Sequence, residues 1–152
     1  MRTSVEASEP PADPAAIMRA MSEVNPAFRN LGVEIVEAGS SASRFAMTVS
    51  ERHTNTFGVC HGGLLFALAD LAFGFTCNAR GVKAMTAGAS IDYLAPAPLG
   101  ARLVADVRET AIAGRNAYYD VTVSIDGGPT VAIVRGRMRI LSGPPVGDSE
   151  AG

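Results

Sequence analysis

Residues 63–77, GLLFALADLAFGFTC, form an almost unbroken apolar run with a single carboxylate, Asp70, at its centre. A helix that is apolar on every side must be covered on most sides, so the rest of the chain has to wrap it. A membrane-spanning helix needs about 20 apolar residues. This run is shorter and leads into Asn78 and Arg80, so it reads as a buried core helix, and no membrane partner is expected. The helix should begin near Gly62 and end near Gly81, whose missing Cβ suits a left-handed C-terminal cap.

The chain of 152 residues falls within the usual ~100–200 residues of one domain. With 47% apolar and 18% charged residues it has the material for a core. Thirteen bases against fifteen acids give a net charge of −2 with no polybasic run, which argues against a nucleic-acid partner. Cys60 and Cys77 match neither a disulfide framework nor a paired zinc motif, and the N-terminal residues lack a signal-peptide pattern. A reducing, cytoplasmic location is expected. Residues 1–13 and 142–152 mix Pro, Gly, Ser and acids without periodicity and read as loose tails flanking a single domain over residues 14–141.

Asp13 should cap a short helix with Pro14 at its first position and Ile17, Met18 and Met21 on its apolar face, running to about Glu23 and ended by Pro26. A hairpin follows: Val33 and Ile35 in one strand, residues 44–49 in the other, and Gly39-Ser40-Ser41 as the turn. After the apolar helix come four strands written in period 2, over residues 85–94, 101–111, 115–125 and 130–141, with Asp126-Gly127-Gly128 turning the last two. Hairpin, helix and four-strand meander make an α+β domain, an antiparallel sheet packed on one long helix. Such a sheet leaves an edge and part of the helix uncovered, so at least a dimer is expected.

Asp70 is surrounded at helical spacing by Phe66, Ala67, Phe73 and Gly74. A carboxylate there is costly unless something uses it, either chemistry or a backbone amide at a helix edge. Gly62 and Gly63 place unpaired amides at the positive end of the helix with no side chain in the way, a cradle for an anion or carbonyl oxygen, or merely room for close packing. Gly62 and Asp70 are eight residues apart, about 12 Å along a helix. Both would have to lie within about 3 Å of one reacting centre. One helix cannot do this, so a shared site needs a second copy related by a two-fold axis.

His53 and His61 lack a third ligand of metal spacing, and no metal is expected. Cys60 and His61 are adjacent and do not make a nucleophile–base pair. Asn55 could hold a water or a carbonyl, or simply serve a turn. Arg135, Arg137 and Arg139 alternate on one strand face, where they could meet ligand phosphates or pair with acids such as Asp120. Phe57, Leu64, Phe66 and Phe73 could shape a pocket or fill core.

Asn55-x-x-Gly58-x-x-His61-Gly62-Gly63, then Phe66-Ala67-Leu68-Ala69-Asp70-x-Ala72-Phe73, Cys77-Asn78, Ser90-Ile91-Asp92-Tyr93-Leu94-x-Pro96 and Val134-Arg135-Gly136 together resemble the PaaI branch of the hotdog-fold thioesterases. The resemblance covers roughly residues 27–141. It implies a curved antiparallel sheet wrapped around a helix. It also implies hydrolysis of acyl-CoA thioesters, typically phenylacetyl-CoA and its ring-hydroxylated forms, by a homodimer or a homotetramer. By the same resemblance Asp70 would be nucleophile or general base and the Gly62 amide would polarise the thioester carbonyl. Asn55 would orient water or thioester, with His61 and Gly63 completing the site.

Thr86 is the nearest hydroxyl at the start of the following strand, where the pattern departs from the family's around Ala87. Arg135 and Phe57 complete the expected substrate contacts. No cofactor is implied beyond the coenzyme A of the substrate. A thioester is already activated, so an amide and a carboxylate suffice. Burial disfavours the ionised acid, so a hydrogen bond to Asp70 from Asn55 or from an amide across the interface is expected. A hotdog dehydratase would need a catalytic His paired with an acid on the helix, and His61 precedes the helix, which argues against it. A non-catalytic acyl-CoA-binding module and a thioesterase for short- or medium-chain acyl-CoA stay open.

Overall fold

The computed structural model describes residues 12–147. Residues 1–11 and 148–152, most of the expected N-terminal tail and the end of the C-terminal one, lie outside the described residues. Residues 142–147 carry neither helix nor strand.

Helix α1, Pro14–Glu23, begins where the sequence places it: the Asp13 carboxylate accepts from the amides of Ala15 and Ala16, and Pro14 occupies the first turn. Pro26 does not merely end that helix. It opens a second one, α2, Pro26–Leu31, because Asn25 caps it by accepting from the Phe28 amide and Gly32 closes it with φ 71°. Strands β1, Glu34–Glu37, and β2, Ala42–Thr48, form the hairpin. Helix α3, Gly62–Asn78, is the apolar run. Strands β3, Ala84–Tyr93, β4, Arg102–Ala113, β5, Asn116–Ile125, and β6, Thr130–Ile140, complete the chain.

All six strands lie in one antiparallel sheet in the order β1-β2-β4-β5-β6-β3. The expected four-strand meander is therefore a three-strand one. Pro96 and Pro98 prevent β3 from turning straight into β4, and β3 pairs instead with β6 at the far edge. Bulges in four of the five strand pairs add twist and bend the sheet around α3.

The helix is seated by small and aromatic residues. Phe73 is fully buried against β6 and stacks on Tyr119, ring centres 6.3 Å apart, and a Cβ on Gly136 would stand 2.5 Å from the Phe73 ring. That contact is why position 136 has no side chain. Phe28, Phe45 and Phe75 pack as an aromatic trio on the other flank, with Met18 of α1 buried beside them. Ser43 and Thr76 share a buried hydroxyl–hydroxyl bond between β2 and α3.

Helix α3 ends three residues before Gly81. Ala79 caps it in right-handed geometry, while Gly81 takes the left-handed turn two residues later, φ 92°, donating to the Asn78 carbonyl. Asn78 replaces the expected glycine cap: its Nδ2 donates to the carbonyls of Gly74 and Ala84, and its Oδ1 accepts from the Ala84 amide. The same side chain thus terminates the helix and fixes where β3 starts.

Candidate active site

Starting β3 at Ala84 puts Thr86 two residues in, on the inner face beneath the middle of α3. There its hydroxyl donates to Asp70 Oδ1 at 2.7 Å. The partner expected from Asn55 or an amide is thus supplied by a hydroxyl of the same chain. Asp70 Oδ2 has no partner among the described residues and stays available. The bulge in β3 falls between Thr86 and Gly88, next to the pair, where bulges commonly re-aim a side chain.

Eight residues earlier the helix start is arranged differently from the simple glycine pair. His61 is the N-cap, and its Nδ1 accepts from the Gly63 amide at 3.0 Å, which leaves the ring proton on Nε2 in the neutral form. The amides of Leu64 and Leu65 go to the His61 carbonyl. The Gly62 amide alone in this turn has no acceptor among the described residues. Of the two glycines, only Gly62 offers a free N–H.

Tyr93, at the end of β3, lies over Gly62. Its hydroxyl donates to the Gly62 carbonyl at 2.8 Å, and a Cβ at position 62 would come 2.9 Å from the ring. Together Cys60, Gly62, Leu65 and the 93–97 segment line an open, mostly apolar pocket of about 340 Å³ at this end of the helix.

The loop before α3 is held by Asn55. Its Oδ1 accepts from Phe57 and Val59 amides, its own amide donates to the Val59 carbonyl, and Gly58 turns with φ 74°. Only Nδ2 is left free, so what Asn55 can offer a ligand is a donor. The loop is docked by bonds from Cys60 N to the Ala97 carbonyl and from His61 N to the carbonyl of buried His53. Burial pushes the Cys60 thiol up to about 11, which keeps it protonated and unreactive near neutral pH.

The structure therefore brings Asn55, Phe57, His61, Gly62 and Gly63 together at the start of α3 and Asp70 with Thr86 at its middle. Phe57 stands at the loop tip, 86% exposed. Arg135 lies on the outer face of the sheet, since its neighbours Val134 and Gly136 face inward, and it holds Asp120 with two prongs at 2.8 and 3.2 Å. Sequence reasoning missed Tyr93 and Asn78 as parts of the site's frame. The signal was present in both: a tyrosine in the Ser90–Tyr93 segment, and a lone amide closing an apolar run. No group of three or more His, Cys, Asp or Glu that could hold a metal comes together among the described residues. None of the described helices is long and apolar enough to cross a membrane.

A family model for the thioesterase superfamily matches residues 57–132. Acyl-coenzyme A thioesterase PaaI of Escherichia coli K12 is 32% identical over 130 residues, 86% of this chain and 93% of its own. The E. coli PaaI structure, from the phenylacetic acid degradation operon, superposes with TM-score 0.82 at 31% identity, covering 86% of this chain and 94% of that one. A Streptococcus mutans UA159 protein solved bound to acetyl-CoA superposes with TM-score 0.70 at 27% identity over 74% and 90% of the two chains. The chain belongs to the thioesterase superfamily and, within it, to the PaaI-type hotdog acyl-CoA thioesterases. It is an enzyme of the thioester hydrolase class.

Proposed function

We propose that this chain hydrolyses phenylacetyl-CoA or hydroxyphenylacetyl-CoA type thioesters to the free acid and coenzyme A, in the cytoplasm, as a homodimer at minimum and a homotetramer built from it. The observation that carries the reading is the Asp70–Thr86 bond in a helix whose start holds a free Gly62 amide about 12 Å away.

The two halves are completed by a second chain. Strand β3 is a sheet edge whose residues are largely exposed. Beside it a stripe of α3, Phe66, Ala67, Asp70 and Gly74, is only partly buried in the single chain, and Gly63 is exposed. An unpaired edge next to an uncovered apolar stripe is what a self-complementary interface removes. When two copies pair β3 antiparallel about a two-fold axis, the two α3 helices run antiparallel beside each other. Asp70 then faces a Gly62 amide across the interface.

In that setting the thioester carbonyl accepts from Gly62 N–H, aided by the Asn55 Nδ2 donor, with His61 and Gly63 shaping the helix start. Thr86 holds one oxygen of Asp70 and leaves the other to act. As general base, Asp70 takes a proton from water while the water oxygen bonds to the carbonyl carbon. The tetrahedral adduct collapses with cleavage of the C–S bond, and the proton passes to the departing thiolate. As nucleophile, Asp70 would attack the carbon itself and expel the coenzyme A thiolate to give a mixed anhydride, which water would then cleave to the free acid and the regenerated carboxylate. Neither route uses a metal or a cofactor beyond the coenzyme A of the substrate. Phe57 would close over the acyl group from its loop.

The test is a hydrolysis assay across phenylacetyl-, benzoyl-, short-chain and long-chain CoA esters with Asp70→Asn as control. Turnover of the aryl-acetyl esters, abolished in the variant, is expected. A preference for long chains would overturn the aryl assignment, and binding without hydrolysis of any ester would leave a non-catalytic acyl-CoA-binding module.

A further inference from the structure

On most of the outer face of the sheet, arginines come with their own counterions. Arg135 holds Asp120, Arg44 holds Asp106, and Arg102 holds Glu34. Among the described residues Arg108 on β4 has no ion pair, and neither do the arginines at the end of the sheet where β3 begins. Arg137 and Arg139 project from β6 on the outer face, two residues and about 6.6 Å apart. Arg115, at the turn into β5, lies alongside, its carbonyl accepting from the Ile140 amide. None of the three has a carboxylate at ion-pair distance among the described residues.

The guanidinium of Arg137 is held by neutral acceptors only, Asn116 Oδ1 at 3.3 Å and the Ala87 carbonyl at 3.4 Å. Position 88 is a glycine, and a Cβ there would stand 3.7 Å from Arg137 Nη2, so the space above β3 beside this group is kept clear. Positive charges this close repel one another, and a cluster left without acids is best matched by a multiply charged anion.

The cluster is adjacent to the catalytic pair. Met138, between the two arginines, faces inward and is the β6 partner of Thr86, whose hydroxyl holds Asp70. Ala87, whose carbonyl holds Arg137, is the residue after Thr86. Only the thickness of the β3–β6 strand pair separates the guanidiniums from the carboxylate.

We propose that Arg137 and Arg139 bind the phosphate groups of the coenzyme A portion of the substrate. The assignment rests on the thioesterase reading above and moves the nucleotide contact from Arg135, which Asp120 already neutralises, to arginines with no carboxylate partner. The patch contributes affinity for the carrier and takes no part in the chemical step.

The experiment measures two things on wild type and on Arg137→Ala/Arg139→Ala. One is calorimetric binding of free coenzyme A against pantetheine, which lacks the phosphates. The other is hydrolysis of a phenylacetyl thioester of coenzyme A against the same acyl thioester of N-acetylcysteamine. The double variant should weaken coenzyme A binding and raise KM for the CoA ester about tenfold, the scale of two surface charge-assisted contacts. Pantetheine binding, kcat, and kcat/KM for the truncated ester should hold.

In wild type the CoA-ester KM should rise with salt, and in the variant it should rise less. Unchanged coenzyme A binding, or equal losses with and without phosphates, would overturn the patch. Absence of turnover with either ester would count against the thioesterase reading instead, and the binding arm would still decide the patch. Arg135→Ala is the paired control, expected to leave coenzyme A binding within twofold; a larger loss there overturns the assignment to its neighbours.

Discussion

The two glycines at the start of α3 look equivalent in the sequence, and the structure says they are not. An alanine Cβ at position 62 would stand 2.9 Å from Tyr93 Cζ and 3.0 Å from its hydroxyl oxygen, while at position 63 the nearest atom is His61 Nδ1 at 3.4 Å. Ordinary contact begins near 3.4 Å, so Gly62→Ala forces a separation of about 0.5 Å between the ring and the helix start. The ring is 53% exposed and can retreat, losing its bond to the Gly62 carbonyl at a cost of about 1 kcal/mol. Helix propensity returns up to about 1 kcal/mol, so the melting temperature should barely move.

Activity is more sensitive. Misplacing a catalytic group by 1 Å can cost ~10²-fold, so a shift of half that size should lower kcat about tenfold. Gly63→Ala, whose amide is already engaged by His61, should keep kcat within about twofold on the same reasoning. Release of the coenzyme A thiol, followed with a thiol-reactive chromophore, gives kcat and KM, and Tyr93→Ala in a double-mutant cycle reports whether the ring transmits the effect. Equal losses for the two alanine variants, or full turnover in Gly62→Ala, would refute the idea that one free amide faces the carbonyl.

Asp70→Asn should lower kcat by ~10²–10⁴-fold, and Thr86→Val, which removes a hydrogen bond to a charged group, by roughly 10–100-fold with KM little changed; steady-state kinetics with folded-state circular dichroism separate this from unfolding. Gly136→Ala drives a Cβ to 2.5 Å from the buried Phe73 ring and should destabilise the chain by about 1–3 kcal/mol in urea denaturation while leaving KM of the folded fraction unchanged. Cys60 and Cys77, both buried with thiols pushed up by burial, should resist alkylation at pH 8 and react at once in denaturant, as read by mass spectrometry. Because folding raises the Cys60 value from 9.0 to about 11, this thiol favours the fold below pH 9, and that contribution fades as pH climbs toward 11.

Much of the architecture is written in local pattern. The period of each strand, the apolar run of α3 and the Asp13-Pro14 start are all short-range signals, and the structure follows them closely. Non-local choices were less legible. That β3 crosses to β6 depends on pairing energies across the whole sheet, and period 2 is silent about neighbours. Pro26 carried both meanings, since a proline that stops one helix is equally suited to begin the next when Asn25 caps it.

At the site, eight-residue spacing set Gly62 and Asp70 about 12 Å apart along one helix. Spacing could not show that His61 uses up the Gly63 amide, or that Asp120 uses up Arg135, because both facts turn on side-chain directions. Thr86 was visible only as the nearest hydroxyl. The bulge at Ala87 breaks the strand's count, and a counting argument fails where the backbone inserts a residue.

The distance between Gly62 and Asp70 on α3 has a genetic consequence. If each reaction centre borrows its amide from one polypeptide and its carboxylate from another, two inactive alleles can cure each other. A Gly62 variant and an Asp70 variant expressed together assort into dimers of which half are mixed, and every mixed dimer has one centre undamaged and one damaged twice. About a quarter of wild-type turnover should reappear from two preparations that have little of their own, the arithmetic of a two-fold assembly.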